Sequence, residues 1–487
     1  MEVERRFTTG AAGDGAAGAF VFDLPGHAFA QTEGAPFSTA DPHLQHGFAP
    51  VWDELSAADL PVRGELPRDL AGVYMRNGPN PAFPPISYTY PFDGDGMVHA
   101  LYFAEGRAAY RNRFVLTAGL RAERRAGRAL YGGLARPVPP DPALVSPDGD
   151  PGPFKNVANT NVVRHAGRTL ALWEGGLPHE LTRELETVGP YDFAGRVWDA
   201  MTAHPKFDPA TGEMLMFRYW QHAPYLLYSA VDASGAVVRQ VPVDTAVPFM
   251  VHDFAVTPAH VVFFLCPVVK EAEHGGPVLA WRPERGTRIV VLRRDGAGAP
   301  RWFDNDPFFV FHFMNAHEDG AERITVDYVQ YGAFLAPGAP PCLWRLTLDL
   351  AGGGVARRQL DDRVGEFPRV DPARIGLPNR YGWLPVKGNA TRPVGAMGAL
   401  ARYDFATGAV AVRDFGPGRE VDEPVFVPRP GAAEEGDGWI MAYVYDRATD
   451  GSVCAILDAR DIERAPVAEI VMPRRVPHGL HGSWMPA

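Results

Sequence analysis

Four histidines and three glutamates stand in strand-like, aromatic-rich settings at wide spacing. The histidines are His204 in TAHPKFDP, His252 in MVHDFAV, His312 in VFHFMNAHEDG and His481 in GLHGSWMP. The glutamates are Glu174 in ALWEGG, Glu366 in GEFPRVD and Glu423 in DEPVFVP. A neutral imidazole is a good ligand for Fe, Cu, Zn or Ni. A metal-bound imidazole commonly donates its other N–H to a carboxylate, which fixes the tautomer and raises the basicity of the ligand. Four histidines with three carboxylates behind them therefore make a coherent metal centre.

Six of these positions, 204, 252, 312, 366, 423 and 481, are nearly periodic, with steps of 48, 60, 54, 57 and 58 residues. A His or Glu at a similar point in each repeat implies a ring of similar units with polar groups aimed at one axis. A β-propeller meets that demand, which predicts an all-β fold. Seven units of about 55 residues fit the chain, and because a blade of four strands usually takes about 40–50 residues, five-stranded blades or long insertions are expected. Short runs such as GVYMRNG, EMLMFRYW, HVVFFLCPVV and WIMAYVYD carry β-branched and aromatic residues between turn signals, as strands do. DPATGE (208–213), FATGAV (405–410) and RATDGS (447–452) read as tight turns. Two stretches read as short helices in connections, 117–131 (TAGLRAERRAGRALY) and 179–186 (HELTRELE). The Pro-rich segment 137–154 reads as a loop on the propeller face, near a substrate entrance. Residues 1–40, rich in Gly, Ala and Thr, read as a mobile arm, and 41–487 as a single propeller domain.

The 487 residues are 46% hydrophobic and 22% charged, the composition of a globular protein. A net charge of −11 without a basic stripe speaks against a nucleic-acid partner, and nothing in the composition asks for an obligate protein partner. Cys266, Cys342 and Cys454 are odd in number and widely spaced, so neither a disulfide framework nor thiolate zinc ligation is expected. A reducing cytoplasm is the simplest compartment. No run of about 18 apolar residues occurs, so no span is expected. Peripheral contact with a membrane surface stays open, with ALYGGLARPVPP (129–140) as the segment offering it.

The remaining histidines carry less weight. His165, His179, His222, His260 and His274 lie near turns or polar connections, and His99 falls outside the register. Spacing alone does not separate His312 from His317, or His481 from His478. Glu174, Glu366 and Glu423 sit in apolar neighbourhoods, where an unpaired carboxylate is costly.

Taken with RNGPNP (76–81), FDGDGMVH (92–99), ANTNVV (158–163), AHPKFDPATGEM (203–214), HDF (252–254), EFPR (366–369), EPVFVPR (423–429) and HGSW (481–484), the chain resembles the carotenoid cleavage oxygenase family, which includes bacterial stilbene-cleaving dioxygenases. The resemblance runs from about residue 48 onward. It implies a seven-bladed β-propeller under a dome of loops and helices, with Fe(II) held by His204, His252, His312 and His481 and backed by Glu174, Glu366 and Glu423. It also implies cleavage of an alkene C=C by O2 into two carbonyl products. The substrate class it implies is an apocarotenoid or carotenoid polyene, or a stilbene or phenylpropenoid. Phe83 and Lys155 are the expected substrate contacts. Tyr88, Tyr90 and Phe92 fit an apolar ligand or ordinary packing equally, and Leu120 stands where stilbene cleavers place a tyrosine. An O2-independent polyene isomerase and a non-catalytic polyene binder are the competing functions; O2 uptake with aldehyde formation discriminates them.

Overall fold

The structure, a computed structural model, describes residues 22–23, 41–134, 136–145, 149–271, 278–336, 338–388 and 395–487. Seven antiparallel sheets of three to six strands form the blades of a β-propeller. Their middle strands, such as Met214–Tyr219, Leu226–Val231 and Gly438–Asp446, are buried almost throughout. That burial explains why they read as continuous apolar runs without strict alternation: each blade is covered on both faces by its neighbours, and β-branched and aromatic side chains fill such surfaces well.

The ring closes twice. Gly482–Pro486 pairs with Gly72–Arg76 and so joins a sheet built from residues 56–114, while Val62–Gly64 pairs with Ala468–Val471 at the edge of the preceding blade. Among the described residues four blades have four strands, and the others have three, five and six, so of the two expectations, five-stranded blades or long insertions, the second describes most of the ring. The extra length of each repeat lies in connections instead, such as the one that carries Val268–Val269 and Leu279–Trp281 as a small separate sheet.

The predicted helix at 117–131 is shorter, Ala118–Ala126. The Thr117 hydroxyl caps it by accepting from the Leu120 amide at 3.2 Å, and Gly127 ends it in the left-handed region at φ 69°. The predicted helix at 179–186 does not form. His179–Leu181 pairs with Thr169–Ala171 as a strand, and Thr182 organises a turn that brings the chain back as Thr187–Pro190. Leu181 and Leu185 are buried, but in the space between blades. A sheet edge offering backbone partners outweighs the helix preference of Glu, Leu and Arg, which is small per residue.

Of residues 1–40, read as a mobile arm, all but Phe22–Asp23 lie outside the described residues. Those two pair in parallel with Leu279–Ala280. Cys266, Cys342 and Cys454 are buried free thiols. Among the described residues no helix is long and apolar enough to cross a membrane. The 129–140 segment places Leu130 and Tyr131 inward as buried residues.

Candidate metal centre and substrate cavity

Each of the four histidines stands just ahead of the first strand of its blade or, for His481, of the strand that closes the ring. His204 precedes Lys206–Phe207, His252 precedes Ala255–Val256, His312 precedes Phe313–Glu318 and His481 precedes Gly482–Pro486. The same place in four blades becomes one place in space. One nitrogen from each ring falls in a group whose members all lie within 4.8 Å of one another. At Gly482 a Cβ would come 2.6 Å from the Met75 carbonyl oxygen, so the closing strand packs too tightly there for any side chain.

Three histidines donate Nδ1–H to a carboxylate. His252 donates to Glu174, His312 to Glu366 at 2.6 Å and His481 to Glu423 at 2.7 Å. The second oxygen of each glutamate is also engaged: Tyr219 donates to Glu174, Tyr331 to Glu366 at 3.1 Å and Arg369 to Glu423 at 2.7 Å. These contacts fix the tautomer, so the lone pair on Nε2 points inward. His204 has no carboxylate of this kind among the described residues; its backbone amide donates to the Thr202 hydroxyl at 3.0 Å.

The donor set fits a metal ion. The Nε2 atoms of His204 and His252 lie 2.9 Å apart, and Nε2 of His312 is buried without a hydrogen-bond partner. A buried polar atom left unpaired is costly and rare, and a cation at the centre satisfies it together with its neighbours. Burial pulls the His481 imidazole down to about 4 against the opposing pull of Glu423, which keeps it neutral at neutral pH. Burial would raise the Glu423 carboxyl, but Arg369 and His481 overcome that and hold it at about 2. Glu174 is likewise lowered in spite of burial, by His252, Tyr219 and Lys270.

His252, His312 and His481 open onto a cavity of about 1590 Å³ whose wall includes Phe83, Tyr88, Tyr90, Phe92, Lys155, Phe311 and Phe367. Phe367 follows Glu366 at φ 62°, a region that costs energy for a bulky residue. The turn sets its ring 5.3 Å from His312 and 5.4 Å from His481. Phe83 and Lys155 are both on the wall. The Lys155 ammonium lies between Asp95 and Glu123, 2.5 Å from each. Tyr88 and Tyr90 line the cavity and also pack with Leu44 and Phe48, so both readings hold. Leu120 is core, packed with Val51, Met97 and Phe114; the capped helix turns Ala118 and Arg121 to the cavity instead. Asp150 and Phe154 of the Pro-rich segment line it too.

The ambiguous pairs resolve by position. His317 meets Asp319 at the far end of its strand. His478 is buried between Asp422 at 2.5 Å and Glu420 at 2.7 Å, and Asp422 also pairs with Arg76. His99 is buried against the Tyr110 hydroxyl at 2.7 Å. His179, read as a turn residue, is buried on the cavity wall. His274 lies outside the described residues. Tyr219, Tyr331 and Arg369 were not singled out from the sequence. Arg369 was within reach of it, in the same EFPR segment as Glu366; the tyrosines lie at strand ends with nothing to mark them.

Burial would lower the His478 imidazole, but Asp422 and Glu420 raise it to about 9. Stability from this charge is therefore complete below pH 6.5 and is lost as pH rises through 9. His478→Gln is expected to cost about 3–5 kcal/mol at pH 6, the scale for breaking a buried ion pair. Denaturant melts from pH 6 to 10 should show that gap closing above pH 9; a gap independent of pH would refute the charged state.

A seven-bladed propeller with four histidines converging under an apolar cavity defines a metalloprotein class, and comparison with known proteins identifies it. Residues 48–486 match the family described as retinal pigment epithelial membrane protein. The chain is 35% identical to a carotenoid cleavage oxygenase of Mycobacterium tuberculosis, over 92% of this chain and 98% of that one. It is 34% identical to an isoeugenol monooxygenase of Pseudomonas nitroreducens, with coverage of 92% and 98%. A lignostilbene dioxygenase structure from Pseudomonas brassicacearum superposes with a TM-score of 0.86 at 32% identity, covering 93% of this chain and all of that one. The chain belongs to the carotenoid cleavage oxygenase family. It is accordingly an oxidoreductase of the oxygenase type.

Proposed function

We propose that His204, His252, His312 and His481 hold Fe(II), backed by Glu174, Glu366 and Glu423, and that the protein cleaves an alkene C=C with O2 into two carbonyl products. Residues 41–487 act as one catalytic unit. The substrate class is an apocarotenoid or carotenoid, or a stilbene or phenylpropenoid. The observation that carries this reading is the convergence of four inward imidazole nitrogens, one of them buried and unpaired, on a large apolar cavity. Four neutral ligands leave a ferrous ion its full charge and open positions, so that when bound it supplies electron density to O2. The carboxylates orient the imidazoles from outside. Phe311 and Phe367 exclude water and give the alkene a flat apolar wall. No residue is asked to act as general acid or base.

The test is anaerobic loading with Fe(II), then O2 uptake with an apocarotenal, resveratrol, isoeugenol and 4-vinylguaiacol, with products read by mass spectrometry. Aldehydes in proportion to O2 consumed, abolished by a ferrous chelator and restored by Fe(II), are the expected result. Rearranged alkene without O2 uptake would favour the isomerase reading, and tight binding of unchanged substrate the binder.

A further inference from the structure

Among the cations on the cavity wall, Arg121 and Lys387 are solvent-exposed, and Lys155 is neutralised by two carboxylates. Lys270 is different. It is half-buried, its ammonium sits 4.3 Å from the Tyr219 ring centroid and 5.5 Å from that of Trp220, and among the described residues no carboxylate pairs with it. Its backbone amide donates to the Pro248 carbonyl at 2.9 Å, and Pro248, Met250 and Leu279 line the same cavity. Both oxygens of Glu174 are already engaged, by His252 and Tyr219. Burial draws the ammonium down to about 8, with Glu174 opposing. Glu174 is the one carboxylate that acts on this ammonium, at a distance and with both oxygens engaged elsewhere, so an ammonium held on aromatic faces here is only partly compensated. A ligand that brings an acidic oxygen would compensate it.

We infer that Lys270 is a substrate-selecting residue: it takes an acidic oxygen, a phenol or a carboxylate, carried by the alkene at the part of the cavity walled by Tyr219 and Trp220. The inference rests on the alkene-cleaving reading of the same cavity and adds the chemical class of the substrate's end group. The oxygen accepts from the ammonium while the attached apolar body lies along the aromatic wall that it shares with His252. Lys155, flanked by Asp95 and Glu123, carries no uncompensated charge for such an oxygen to neutralise.

The experiment is equilibrium binding by tryptophan fluorescence quenching with matched pairs: isoeugenol against its O-methyl ether, and an apocarotenoic acid against its methyl ester. The wild-type protein is expected to bind one free phenol or acid about tenfold or more tightly than its methylated partner, the scale of a hydrogen bond to a charged group. Which pair shows it tells phenol from carboxylate. Lys270→Met should erase the preference and Lys270→Arg keep part of it, with circular dichroism confirming the fold of both. A preference that survives in Lys270→Met, or one absent from the wild type in both pairs, overturns the inference. Binding is read without turnover. Preference without O2 uptake would thus sink the cleavage reading alone, and O2 uptake without preference would sink this one alone.

Discussion

Replacing His252 by alanine is expected to remove metal binding and alkene cleavage together, with iron content well below one per chain and a rate about a thousandfold or more lower. That loss corresponds to about 4 kcal/mol of transition-state stabilisation. The side chain spans the distance between Glu174 and the point where the four nitrogens meet. Its removal takes away one of the four nitrogens and frees Glu174 to face the site. The fold should survive, because Tyr219 still donates to Glu174 and Lys270 still lies nearby to balance its charge. Metal analysis, O2 uptake and circular dichroism on one preparation check this, and partial rescue by added imidazole would locate the defect at the missing ring. A His252→Ala protein that keeps a full complement of iron and turns over would refute the ligand assignment.

Glu423→Gln tests the carboxylates, and a loss of about 10- to 100-fold in iron affinity or activity is expected, the usual cost of removing a carboxylate that orients a ligand. The amide keeps the shape but loses the charge, so Arg369 and His481 no longer share an anion. The wild-type carboxyl is held at about 2. Its contribution to stability is therefore complete above about pH 4.5 and fades as pH falls towards 2. Acid unfolding of the variant should thus begin from a lower stability and be less steep between those limits. Competition for iron against a calibrated chelator, with acid melts alongside, gives both numbers. An unchanged affinity would mean that His481 is oriented by its backbone alone.

The reason the centre was visible in the sequence lies in the propeller itself. Each of the four histidines sits at a similar step of its blade, so distance along the chain repeats even though they are far apart. The tyrosines behind Glu174 and Glu366 carry no such rhythm, because each reaches its carboxylate from the end of a strand whose position varies with insertions. Lys155 was found by motif, but its two acidic partners come from residues 32 and 60 positions away, which only the fold brings together. The segment 179–186 was misread because its leucines satisfy a helical face and a strand-turn-strand equally. The deciding partner, the strand Arg168–Leu172, is a tertiary one. Leu120 stands at the place along the chain where stilbene cleavers have a tyrosine, but the cap at Thr117 fixes which way the helix turns its side chains, and Leu120 goes to the core.

The double closure of the ring has a bearing on how the centre comes into being. His481 is carried on the strand that zips back onto Gly72–Arg76, so a growing polypeptide presents three imidazoles long before the fourth can arrive. The four-nitrogen group and the completed ring thereby arise in one event: a molecule whose last strand has not docked lacks one of the four imidazoles. The gathering of the four nitrogens is in this sense a check on the finished circle.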